Sequence, residues 1–311
     1  MVGAGRVVSA QGPALPPCMS GPALWWEAAR PRTLPAALVP VVVGSAVAAE
    51  AGGFRPLPAL LCALFALLVQ VGTNYANDYY DAVQGADDEK RTGPRRAVAS
   101  GQVRPEVMRR AAYGVLAGAF LLGLSLLVWG GWWLLGVGLA SVVAAVAYTA
   151  RPLALGYRGL GDVFVVLFFG LVAVGVTAYV QVGGFPRGVW ATGVVIGLLV
   201  NNLLVINNDR DLPNDRRTGK RTLAVRLGRW VSFALLGASL AGAILLVAGW
   251  AGAGGRPWTL VSLVGLVPLV RLLRALPGEH DRAAYGRFLA AAARSLVGYG
   301  LLLAGGLVLG A

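Results

Sequence analysis

The stretch Leu57-Pro-Ala-Leu-Leu-Cys-Ala-Leu-Phe-Ala-Leu-Leu-Val-Gln70-Val-Gly-Thr-Asn74-Tyr-Ala-Asn77-Asp78-Tyr-Tyr-Asp81 decides what kind of molecule this is. It opens as an apolar run of about 20 residues, the length of helix that crosses a bilayer core roughly 30 Å thick. It closes on amides and carboxylates. Comparable runs lie near 34–49, 111–129, 132–150, 163–182, 189–206, 230–251, 257–273 and 288–311. The expectation is an all-α polytopic membrane protein of about nine transmembrane helices. The run 257–273 is the weakest, with Pro257, Pro268 and Arg271, and the last run contains Arg294, which must snorkel or face other helices.

Composition agrees. Of 311 residues, 57% are hydrophobic and only 13% charged, against about 25% charged in an average soluble domain. That is too little charge to clothe a soluble surface. The net charge of +13 is carried in short segments between apolar runs, so membrane lipid, and no nucleic acid, is the expected partner. Arginine supplies 25 of the 27 basic residues, a bias that points to a GC-rich bacterial gene and hence to a bacterial inner membrane. Cys18 and Cys62 are the only thiols and His280 the only histidine, which removes a disulfide framework, His-rich zinc sites and bis-His haem. Residues 1–24 are rich in Gly, Pro and Ala without an apolar core and read as a disordered leader; 25–311 read as one transmembrane domain.

Basic residues should mark the cytoplasmic loops. With nine spans and a cytoplasmic N-terminus, 24 of 27 fall on that side, leaving Arg55, Arg187 and Arg256 outside. Thirteen of the 14 acids share the cytoplasmic side, with Glu50 the exception. The ionisable chemistry, and so the site, is expected to face the cytoplasm.

Two spans end there in acidic stripes. Asn74, Asn77, Asp78 and Asp81 recur at i, i+3, i+4 and i+7, one face of a helix. Asn207, Asp211 and Asp215 recur at i, i+4 and i+8, beside Asn208, and the shared Asn-x-x-x-Asp spacing suggests an old internal duplication. Carboxylate and amide oxygens without His or Cys suit Mg²⁺, which bridges to substrate phosphate. Helix C-termini favour a cation by their dipole. For Asp88, Glu89 and Asp209 solvated boundary charge is the better reading, and interhelical hydrogen bonds remain an alternative for Asn74 and Asn201/Asn202. For the stripe itself, a carboxylate inside a membrane is too costly to keep without function. Basic residues follow each stripe: Arg91 after the first, Lys220 and Arg221 after the second, with Arg151 and Arg158 in the glycine-rich loop after Tyr148. Arginine and lysine there suit a diphosphate.

These motifs resemble the UbiA superfamily of intramembrane prenyltransferases, over nearly the whole chain from Trp25. The similarity rests on Arg30-Pro-Arg32-Thr-Leu-Pro35, on Asn77-Asp-Tyr-Tyr-Asp81 with Gly85 and Asp87, on Gly93-Pro94, on Tyr157-Arg-Gly-Leu-Gly-Asp162, and on Asn208-Asp-Arg-Asp211 with Asp215 and Gly219-Lys-Arg-Thr-Leu-Ala-Val-Arg-Leu-Gly228. Gly85 stands where the superfamily places an acid, and Asp87 is expected to supply that carboxylate. Arg151 stands near the position of the lysine that many relatives carry after the tyrosine of the fourth span.

The resemblance implies a ring of helices around a central cavity. The branch it resembles most joins an all-trans polyprenyl diphosphate to 1,4-dihydroxy-2-naphthoate, losing CO₂ and diphosphate to give a demethylmenaquinol. It implies Mg²⁺ on Asn77, Asp78, Asp81, Asp87, Asn208, Asp211 and Asp215. Asn77, Asp81, Asn207 and Asp211 would be catalytic. Arg32, Asn74, Arg91, Tyr148, Arg151, Arg158, Lys220 and Arg221 would bind substrate. Another acceptor (4-hydroxybenzoate, homogentisate), or a cation- or proton-coupled transporter, remains the alternative.

Overall fold

Proline punctuation sets where the first helices begin. In the computed structural model, which describes residues 21–85, 96–278 and 281–310, helices α1 (Pro22–Ala28), α2 (Pro35–Glu50), α3 (Pro56–Val83) and α4 (Pro105–Leu124) each open on proline. At that position the missing N–H costs nothing and the fixed φ suits the helix. Helix α1 begins at Pro22, just inside the stretch read as leader; residues 1–20 lie outside the described residues. The chain continues through α5 (Trp133–Ala147), α6 (Gly161–Val182), α7 (Val189–Arg217), α8 (Leu223–Leu227), α9 (Trp230–Ala251), α10 (Pro257–Ala275) and α11 (Arg282–Leu309).

Among the described residues, seven helices are long and apolar enough to cross a bilayer: α3, α4, α6, α7, α9, α10 and α11. The α1 segment and α2, bent by 51° between Thr33 and Pro35, make an eighth if taken together. Nine crossings are reached only by counting α5, whose 15 residues span about 22 Å at 1.5 Å per residue. The chain is a multi-pass membrane protein. The weak run at 257–273 crosses by an unexpected route: Pro257–Leu266 is wound as a 3₁₀-helix before α-helix resumes at Val267. Its steeper rise of about 2.0 Å per residue lengthens a short segment.

Packing is uneven. Helices α2, α6, α7, α9, α10 and α11 share one large apolar core, and their backbones approach closely at glycines. A Cβ at Gly44 of α2 would lie 2.6 Å from the carbonyl oxygen of Val174, and one at Gly197 of α7 would lie 2.8 Å from that of Val166. Small residues at such crossings let van der Waals contact replace the missing hydrophobic drive between membrane helices. A second cluster ties α1 and the 97–103 turn to α3 and α4. A third, of Val41, Cys62, Leu126, Leu134 and Val180, closes the end opposite the acidic stripes.

Candidate active site

The stripe on α3 shares a face, but its neighbours divide it. Asp78, 2% exposed, accepts the backbone N–H groups of Ala97 and Val98 at 3.1 Å each and fastens the returning loop to the helix. Asp81 accepts Arg96 Nη2 at 3.0 Å and the Tyr157 hydroxyl at 2.7 Å. Asn77 accepts the hydroxyl of Thr149. Deeper in the helix, Asn74 donates to the Ala29 carbonyl at 2.8 Å and to Thr33 Oγ1 at 3.1 Å.

The end of α7 is likewise partitioned. Asp209 turns toward α11 and accepts the Tyr285 hydroxyl at 2.6 Å. Asp211 receives Arg210 through two nitrogens at 2.7 and 2.8 Å. Asp215 faces Lys220 Nζ at 3.9 Å, while Asn207 bonds the Leu203 carbonyl at 2.9 Å.

Helices α3 and α7 scarcely touch; the loop between α5 and α6 stands between their ends. Tyr157 makes the join. Its hydroxyl is on Asp81, Lys220 Nζ lies 4.5 Å from its ring centroid, and its carbonyl accepts the Arg221 N–H at 2.8 Å. The ammonium is thus held by a carboxylate and an aromatic face at once. Gly156 and Gly161 pack on the Tyr148 side chain, where a Cβ at either would come within 2.9 Å. Two acidic helix ends are thereby brought to one aromatic bridge.

Beneath that bridge lies a cavity of about 280 Å³ with walls from α2, α3, α5 and α6. Along α3 it runs from Asn77 past Asn74 and Gln70 to Cys62, about 22 Å of helix. Its wall is amide and phenol at the bridge end and largely apolar below, with Phe65, Phe164 and Phe168 among the lining residues. A π-helical stretch at Val166–Val172 widens α6 where Phe168 and Phe169 both reach the cavity. Helices α5 and α6 both line it yet scarcely touch one another.

The cavity thus has a polar mouth between two acidic helix ends and a largely apolar channel below. The model of the UbiA prenyltransferase family matches residues 37–295. The chain belongs to the UbiA prenyltransferase family. It is 39% identical over 220 residues to the 1,4-dihydroxy-2-naphthoate octaprenyltransferase of Haemophilus influenzae, covering 67% of this chain and 70% of that one. It is 40% identical to the enzyme of the same name from Mycobacterium tuberculosis, over 79% and 83% of the two chains. The solved structure of a UbiA homolog from Archaeoglobus fulgidus bound to DMAPP and Mg²⁺ matches with a TM-score of 0.60 at 13% identity, over 90% of this chain and 99% of that one; at that identity the likeness is one of fold.

In this UbiA chain the expected site residues do not all converge. Asn77, Asp81, Tyr148, Asp215 and Lys220 gather around Tyr157 or line the cavity beneath it. Arg32, Arg151, Arg158 and Arg221 are exposed; Arg158 donates to the Pro152 carbonyl at 2.7 Å. Asp87 and Arg91 lie outside the described residues. Asp78, expected as a metal ligand, has both oxygens engaged by backbone N–H groups, and Asn207 bonds its own helix. Asn208 is half-buried on α7.

Among the described residues no three acidic, His or Cys side chains converge on one point. Mg²⁺ does not require that, since one or two carboxylates together with substrate phosphate commonly hold it. Asp81 and Asp215, linked through Tyr157 and Lys220, fit that donor set. Sequence reasoning passed over Thr33, Gln70, Arg96, Thr149 and Tyr157 as site residues. Tyr157 stood inside a quoted motif and Arg96 two residues beyond another, but their contacts to Asp81 depend on loops returning from 76 and 15 residues away.

Proposed function

We propose that this protein transfers an all-trans polyprenyl group from polyprenyl diphosphate to 1,4-dihydroxy-2-naphthoate, releasing diphosphate and CO₂ and giving a demethylmenaquinol. The observation that carries this reading is the cavity: an amide and phenol wall beneath the acidic and basic groups of the Tyr157 bridge, and largely apolar walls along the rest. The named activity of relatives at 39% and 40% identity supports the choice of acceptor.

Asn77 and Asp81 from α3, with Asn208, Asp211 and Asp215 from α7, would hold Mg²⁺, with Asp87 as a further ligand; when bound, Mg²⁺ supplies the positive charge against which the diphosphate leaves. Lys220, held between Asp215 and the Tyr157 ring, is a point charge for the same diphosphate, with Arg221, Arg91, Arg151 and Arg158 around the mouth. Departure of diphosphate leaves an allylic cation, which water would quench. The walls of Phe65, Phe164 and Phe168 keep water away from it. The naphthoate ring attacks the cation and loses its carboxylate as CO₂. Arg32, exposed before α2, draws in the naphthoate anion. The rest of the polyprenyl chain leaves between α5 and α6, which both line the cavity and scarcely touch one another.

The acidic end faces the cytoplasm across a bacterial inner membrane, with the N-terminus on the same side and residues 25–311 forming the transmembrane domain. Both Asp81→Ala and Asp211→Ala are expected to abolish Mg²⁺-dependent transfer while the protein still accumulates in the membrane. The decisive assay incubates membranes with Mg²⁺, labelled polyprenyl diphosphate and a panel of hydroxylated aromatic acids. Prenylated dihydroxynaphthoate is the expected product, and its absence, or undiminished transfer in both variants, overturns the reading.

A further inference from the structure

Thr33 has one hydroxyl proton, and it goes to the Arg30 carbonyl at 2.9 Å. Toward Gln70 and Asn74 its oxygen can therefore only accept. Both amides must present an NH₂ group to it, each at 3.1 Å. That settles which way the two amides are turned and directs Gln70 Oε1 away from Thr33. Gln70 lines the cavity at 9% exposure, and its Oε1 is fully buried with no hydrogen-bond partner.

A buried acceptor left unpaired carries its full desolvation cost, and Thr33 keeps the amide from rotating to relieve it. A prenyl chain has no proton to offer, and an ionised diphosphate is itself only an acceptor. Of the two substrates proposed above, only the dihydroxynaphthoate ring carries hydroxyl hydrogens. Gln70 stands seven residues before Asn77 on the same helix, about 10 Å deeper at 1.5 Å per residue, with room for a ring below the diphosphate groups.

We infer that Gln70 is a specificity-determining residue whose Oε1 accepts a hydrogen bond from a ring hydroxyl of the aromatic acceptor, with Thr33 as the residue that orients it. This rests on the proposed function above for the identity of the acceptor. The test is Gln70→Met, which keeps the length of the side chain and removes the acceptor. Purified wild type and variant are titrated with 1,4-dihydroxy-2-naphthoate and with 2-naphthoate, which lacks both hydroxyls, and KM and kcat are measured for both substrates. The expected result is a rise of about tenfold in the dissociation constant and KM for dihydroxynaphthoate. KM for polyprenyl diphosphate and the affinity for 2-naphthoate stay unchanged.

Gln70→Glu, which in its protonated form can still donate to Thr33 and keeps a carbonyl acceptor, is expected to retain most of the affinity. Thr33→Val is expected to weaken dihydroxynaphthoate in the same selective way. An unchanged KM in Gln70→Met, from a wild type that does prenylate dihydroxynaphthoate, overturns this assignment alone, as does equal weakening of 2-naphthoate. A wild type that neither binds nor prenylates dihydroxynaphthoate overturns the proposed function and this assignment together.

Discussion

To other described residues Tyr157 makes three unlike contacts: a hydroxyl on Asp81, a ring beneath Lys220 and a carbonyl on the Arg221 N–H. Tyr157→Phe removes the first and keeps the other two. Losing a hydrogen bond to a charged group is worth about 1.5–3 kcal/mol, so kcat is expected to fall at least about tenfold while Lys220 keeps its seat and KM for the diphosphate donor changes little; steady-state kinetics over both substrates read the split. The Asn/Asp stripes could be read in the sequence because carboxylates beside an apolar run are costly and so stand out. The division of labour within them could not. Whether Asp78 holds backbone N–H groups or faces the site depends on where Ala97 and Val98 return, and no spacing rule encodes that. Thr33 was hidden for the same reason: a threonine before a helix looks like an ordinary local hydrogen-bonding residue until Gln70 and Asn74 arrive from α3.

At the scale of helices, hydropathy located every apolar run but said nothing about how each is wound. The 3₁₀ turn sequence at Pro257–Leu266 and the π-helical stretch at Val166–Val172 have the same apolar content as an α-helix. Their difference lies in what packs against them. Glycine marks the tightest of these contacts. Gly44→Ala drives a methyl against the Val174 carbonyl, and Gly197→Ala does the same against Val166. Backbone cannot swing aside as a side chain can, so each substitution is expected to cost about 1–3 kcal/mol, seen as a lower thermal midpoint in detergent. Gly249→Ala, with nothing within 4 Å of its Cβ, is the matched control and is expected to leave the midpoint unchanged.

For the whole molecule, charge asymmetry predicts an orientation. Arg55, Arg187 and Arg256 lie toward the side away from the acidic stripes, and Arg256 there pairs with Glu50 at 2.8 Å and bonds the Gly310 carbonyl. A periplasmic phosphatase fused after Ala311 is therefore expected to be active, and one fused to the 210–229 loop inactive. The molecule is also lopsided in its packing: the large core belongs to α2, α6, α7, α9, α10 and α11, whereas α3 and α5 supply much of the cavity wall without belonging to it. Stability and selectivity are therefore written in largely separate residues. A lineage can exchange Phe65, Val69, Gln70 or Val137 for residues that welcome a different ring or tail while the core that keeps the protein folded goes untouched. One scaffold can in this way accept different rings and tails without passing through unfolded intermediates.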